Sequence, residues 1–96
     1  MQKKVCRIVD DCLKKDGKEH DKHTVFPHLV EEIGELAREY HNSINNWRDN
    51  FDKEKFSKEL SDVLSQLLIL ARDFDVDIET AFEEKIKEWR KRFELD

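Results

Sequence analysis

A helical periodicity constrains this chain more than any other feature. Between Val25 and Ile44 the apolar residues Val25, Phe26, Leu29, Val30, Ile33, Leu36, Ala37, Tyr40 and Ile44 recur mostly at intervals of three and four. At about 100° per residue they gather on one side of a helix. Phe56, Leu60, Val63, Leu64, Leu67, Leu70, Ala71 and Phe74 make a second such face. Only two glycines and one proline punctuate the 96 residues, and 43% of the side chains are charged. That leaves few turn signals for a sheet and suits long amphipathic helices. The expected class is all-α.

In chain order, Gln2 to about Lys15 is the first helix, with Val5, Ile8, Val9, Cys12 and Leu13 facing inward. Asp16-Gly17 stops it, because glycine takes the left-handed turn that ends helices. A polar connector runs from Lys18 to His23. Thr24 is the expected cap of the second helix, with Pro27 in its first turn. That helix runs to about Asn45, and Trp47 to Asp52 is a loop whose Trp47 and Phe51 dock on the bundle. The third helix spans about Lys53 to Phe74. Asp77 caps a fourth from Ile78 to Phe93. A chain of 96 residues makes one domain, 1–96. The expectation is a four-helix bundle-like fold. The run Leu64, Leu67, Leu68, Ile69, Leu70, Ala71 is wider than one small bundle covers, so a homo-oligomer is expected.

Both long helices carry paired acids. Glu31-Glu32-Ile33-Gly34-Glu35 and Glu59-Leu60-Ser61-Asp62 each place carboxylates three residues apart, and residues at that spacing are neighbours on a helix. On the wheel Glu32, Glu35 and Glu39 follow one edge of the apolar face, with His28 a turn earlier. Glu31 falls nearly opposite, beside Arg38. Glu59 and Asp62 border the face of the third helix. Packed antiparallel, the two helices bring Glu32, Glu35, Glu59 and Asp62 together. Four carboxylates suit a hard divalent cation such as Mg²⁺. The competing reading is ordinary surface charge paired to lysines, as for Glu54 and Lys58.

Other chemistries fit less well. A di-iron bundle needs Glu-x-x-His on two helices, and that pattern is absent. His20, His23 and His28 have no cysteine near enough for a zinc cluster and read as solvated, with His28 alone turned toward the acids. Trp47, Phe82 and Trp89 occupy helical or loop-docking positions where aromatics pack. No glycine-rich phosphate loop or nucleophile elbow occurs. The net charge of −5 comes from interleaved acids and bases, unlike a nucleic-acid-binding face. No apolar run approaches the roughly 18 residues that span a membrane, and no signal-peptide core is present, so a cytoplasmic location is expected. Cys6 and Cys12 lie about 9 Å apart along one helix and read as reduced, partly buried thiols.

With these residues in view, the chain resembles the MazG-like nucleotide pyrophosphohydrolases of the all-α NTP pyrophosphatase superfamily. Their signature, Glu-Glu-x-x-Glu followed after a variable spacer by Glu-x-x-Asp, is matched by Glu31-Glu32-Ile33-Gly34-Glu35 and Glu59-Leu60-Ser61-Asp62. The flanks Leu29-Val30, Leu36-Ala37 and Val63-Leu64 are similar, and the likeness covers roughly residues 24–93. The resemblance implies a Mg²⁺-dependent enzyme, with Mn²⁺ as a substitute, that splits a nucleoside triphosphate into monophosphate and pyrophosphate. It implies Glu32, Glu35, Glu59 and Asp62 as metal ligands and catalytic residues. Glu31 takes a supporting place, and Lys85 and Arg92 contact phosphates. It further implies a homodimer or homotetramer. The alternatives are phosphoribosyl-ATP pyrophosphohydrolase, whose second motif is richer in alanine, and a catalytically silent helical module that binds a partner.

Overall fold

The computed structural model describes residues 1–45 and 52–95, with the backbone alone for 42–45. Four helices account for the described chain: α1 (Gln2–Lys15), α2 (Lys22–Asn45), α3 (Lys53–Asp73) and α4 (Ile78–Arg92). There is no strand among the described residues. The fold is a single all-α domain. The loop expected to carry Trp47 and Phe51 lies outside the described residues.

Local chemistry sets the helix ends. Asp52 caps α3 by accepting a hydrogen bond from the Lys55 amide at 3.1 Å, and Asp77 caps α4 through the Thr80 amide. The second of these is the cap expected from sequence. Gly17 ends α1 at φ 70°, in the left-handed region that a Cβ disfavours. α2 differs from expectation. It begins at Lys22, and Asp21 rather than Thr24 serves its first turn, its carboxylate accepting from the His23 amide at 2.9 Å. The Thr24 hydroxyl instead donates to the Asp21 carbonyl. Aspartate is as good a cap as threonine, and the earlier start places Pro27 beyond the first turn, where it forgoes one helical hydrogen bond.

α3 is the central element. It packs along α2 and, over a shorter length, against α1. The buried apolar residues are Cys6, Val25, Leu29, Leu68 and Ile69, and Cys6, Val25 and Ile69 form one cluster with Val9 and Leu70 against it. The α1 face therefore passes through Val5, Cys6, Val9 and Leu13. Ile8 and Cys12, expected inside, are exposed. The Cys6 thiol donates to the Leu68 carbonyl at 3.7 Å, which helps fix that rotation of α1.

The core faces of α2 and α3 also differ from the wheel. Along α2 the residues turned into the α3 contact are Val25, Leu29, Glu32, Leu36 and Glu39, spaced four, three, four and three. Along α3 they are Phe56, Glu59, Val63, Gln66 and Leu70, in the complementary order. This is the repeat of an antiparallel helix seam, with carboxylates at three of its positions. Leu60, Leu64 and Leu67, expected in the core, remain 43–46% exposed. So do Phe26, Val30 and Ile33 on α2, at 59%, 54% and 47%. Each helix thus carries a second apolar stripe, one step around from the seam, that the described residues leave exposed.

α4 has no buried residue. It is tied to the rest by its first turn: the Gln2 carboxamide donates to the Val76 carbonyl at 2.9 Å and accepts from the Ile78 amide at 2.9 Å. The Gln2 amide donates to Glu79 Oε1. Three packed helices and a fourth attached at one end replace the closed four-helix bundle. No described helix is long and apolar enough to cross a membrane.

Candidate metal centre

The α2–α3 seam brings one carboxylate oxygen from each of Glu32, Glu59 and Asp62 within 4.8 Å of one another. Glu32 and Glu59 reach this point from seam positions and are partly buried, whereas Asp62, one turn beyond Glu59, is exposed. Glu32 Oε2 and Glu59 Oε2 are enclosed and accept no hydrogen bond. A buried carboxylate oxygen without a donor is costly. Two such oxygens on residues of one cluster fit a cation that would supply the missing charge.

Electrostatics agree with the geometry. Burial, the largest effect, followed by the neighbouring carboxylates of Glu35, Asp62 and Glu59, pushes the Glu32 carboxyl above the usual range, and the His28 ring partly offsets this. Burial also raises Glu59, with Glu35 and Asp62 adding to it. Glu35 lies outside the three-oxygen cluster, but its carboxylate is near enough to Glu32 and Glu59 to raise the pKa of both. A divalent cation among these acids would relieve their mutual repulsion. The donor set is all oxygen, which suits Mg²⁺ or Mn²⁺ over softer metals.

The structure separates the other candidates. Glu31 is exposed and takes no part in the cluster. Lys85 and Arg92 lie on α4: Lys85 Nζ is 3.7 Å from Glu88 and 5.8 Å above the Trp89 ring, and Arg92 stacks on Phe93. Neither is among the main charges acting on Glu32 or Glu59. His28 is near enough to Glu32 to lower its pKa. His20, expected to be solvated, instead places Nε2 2.9 Å from both oxygens of Asp73. That bond ties the α1–α2 connector to the end of α3.

One residue at the seam was not anticipated. Lys55, one turn before Glu59, places Nζ 3.1 Å from Glu39 Oε1. The four-three alternation Leu29, Glu32, Leu36, Glu39 was the available signal, since it puts Glu39 in the seam and in need of a partner.

Residues 20–94, well over half of the chain, match the family model described as the MazG nucleotide pyrophosphohydrolase domain. No curated protein and no solved structure matches.

Proposed function

The chain belongs to the MazG nucleotide pyrophosphohydrolase domain family, and on that premise we propose that it cleaves a nucleoside triphosphate to the monophosphate and pyrophosphate with Mg²⁺, or Mn²⁺ in its place. The observation that carries this reading is the convergence of Glu32, Glu59 and Asp62 within 4.8 Å, with two of the enclosed oxygens lacking any donor. These three residues and Glu35 would hold the metal. Bound there, the cation supplies neutralisation of the phosphate charge and activation of water.

This chain's residues do the rest. Glu32 and Glu59, anchored in the seam between Leu29 and Leu36 and between Phe56 and Val63, are held rigidly by packing on both sides. Glu35 and Asp62, more exposed, face the entry side and adjust to the ligand. Glu31 supports the site from outside. Lys85 and Arg92 bind phosphate oxygens, and because α4 does not close on its own α2–α3 pair, they act on the site of a second copy.

The exposed apolar surface supports a homodimer or homotetramer. The radius of gyration is 16.7 Å, against about 12–13 Å for a compact domain of this length. The uncovered stripes Phe26, Val30, Ile33 and Leu60, Leu64, Leu67 lie on adjacent helices, and α4 carries a third in Phe82, Ile86, Trp89 and Phe93. Their matching helical spacing lets copies complete the bundle for one another. Exposed apolar stripes of this kind are a candidate interaction site.

The test is a panel of ribo- and deoxynucleoside triphosphates with Mg²⁺, products resolved by ion exchange. Pyrophosphate and a monophosphate are expected from at least one. Orthophosphate and a diphosphate would overturn the cleavage position, and no turnover of any, phosphoribosyl-ATP included, would leave a silent helical module as the reading.

A further inference from the structure

Gln2, at the start of α1, joins three helices. Its carboxamide donates to the Val76 carbonyl at 2.9 Å and to the Leu68 carbonyl at 3.4 Å, and accepts from the Ile78 amide at 2.9 Å. Its own amide donates to Glu79 Oε1 at 3.1 Å. α1 is itself fixed to α3, by Cys6 in the core cluster with Ile69 and by the Asp10–Arg72 ion pair at 2.7 Å. α4 has no such mounting. It carries no buried residue, and the helix pairs that pack along each other are α2 with α3 and α1 with α3. Packing at the α3–α4 turn does not steer it either. Phe74 and Val76 are exposed, and a cleft of about 890 Å³ opens between α1 and the turn. α1 also precedes residues 20–94, which match the family model, so this brace comes from outside the matched domain.

We propose that Gln2 is a positioning residue: it sets the direction in which α4 leaves the α1–α3 frame, and thereby aims Lys85 and Arg92 at the phosphates of the substrate. The proposal rests on the triphosphate reading above. Lys85 and Arg92 are seven residues apart, about two turns, and move together when α4 turns about its first residues. They lie about 10 and 21 Å along the helix from Ile78, so a small rotation there displaces both by much more. Two hydrogen bonds from one carboxamide, on either side of Asp77, oppose that rotation. Such a brace raises affinity by no more than the free energy it puts into the binding-competent direction of α4.

The test uses the full chain, with Gln2→Ala made in the wild type and in a Lys85→Gln/Arg92→Gln background, and Gln2→Glu beside it. Two calorimetric titrants serve: Mn²⁺ alone, and inorganic tripolyphosphate with Mg²⁺ present. Gln2→Ala should weaken tripolyphosphate binding by about five- to tenfold, the scale of one net hydrogen bond. Gln2→Glu keeps the acceptor toward Ile78 and lacks the donor toward Val76, and should fall between. In the background without the two α4 cations, Gln2→Ala should cost nothing further. Affinity for Mn²⁺ alone should match the wild type throughout, since the carboxylates lie in the α2–α3 seam. Wild-type tripolyphosphate affinity in Gln2→Ala overturns the proposal, as does the same loss in both backgrounds or a parallel loss of Mn²⁺ affinity, which would make Gln2 a support of the fold only. Wild-type affinity in Lys85→Gln/Arg92→Gln removes the two cations from the site and this proposal with them. Wild-type protein that neither binds tripolyphosphate nor turns over any nucleotide brings down the triphosphate reading as well; turnover with an unaffected Gln2→Ala brings down this proposal alone.

Discussion

Glu32 on α2 and Asp62 on α3 bring carboxylate oxygens within 4.8 Å of each other across a helix seam, although one is partly buried and the other exposed. That asymmetry sets an order among the acids. Removing Glu32 or Glu59 with glutamine keeps the packing and deletes an anchored ligand. Mn²⁺ affinity should fall by more than the roughly 10–100-fold typical of an outer-shell partner, with turnover lost alongside. Glu35→Gln should behave the same way, because it removes the fourth of the carboxylates proposed to hold the metal. Glu31→Gln should leave metal affinity within a few-fold of wild type. Calorimetric titration of the four variants checks this, and equal loss in all four would contradict the phase of α2 described here.

The same acids burden the metal-free fold. Glu32 and Glu59 have pKa values raised by burial and by neighbouring carboxylates. An acid whose folded pKa exceeds its unfolded one favours folding at low pH, and that contribution is lost as pH rises through the folded value. Metal-free protein should therefore lose stability as pH climbs from the ordinary glutamate range toward neutrality. Glu32→Gln and Glu59→Gln should melt above the wild type at pH 7, the gap closing as pH falls. Thermal melts in chelator across pH decide it; a constant gap would mean that charge is not the cause.

Association should depend on α4. Its stripe of Phe82, Ile86, Trp89 and Phe93 is 37–62% exposed in the single chain, and Trp89→Glu would put a charge in the middle of any contact that covers it. Light scattering should give a multiple of the 11.6 kDa chain mass for the wild type and a smaller species for the variant. A monomer at micromolar concentration for the wild type would remove the claim.

The start of α4 depends on two side chains. Gln2 bonds the Val76 carbonyl and the Ile78 amide, and Asp77 accepts from the Thr80 amide. The Asp77 carboxyl is held below the usual aspartate range chiefly by that Thr80 amide, so its contribution is present above the unfolded value and lost as pH falls through the folded one. Asp77→Ala should speed hydrogen exchange at the Thr80 and Ala81 amides while leaving α3 amides near wild type. Gln2→Ala should do the same and also loosen the first turn of α1. Exchange that rises uniformly along the chain would mean that α4 is more deeply integrated than these contacts imply.

Much of this protein is written in local chemistry. Helix class and the bounds of α1, α3 and α4 follow from short-range terms: a period near 3.6, capping aspartates at positions 52 and 77, a glycine at 17. The paired carboxylate motifs are equally local, since three residues apart on a helix is always one face. Rotation about the helix axis is not local. A face as broad as that of α2 buries either the stripe through Val25, Leu29 and Leu36 or the stripe through Phe26, Val30 and Ile33, and periodicity weighs them alike. Packing against α3 selected the first. That choice moved Glu32, Glu39 and Glu59 from the border of the apolar face into the seam, brought Lys55 to Glu39, and left the second stripe open. Which side of an amphipathic helix faces its neighbour depends on contacts between residues far apart in the chain, and only the tertiary structure decides it.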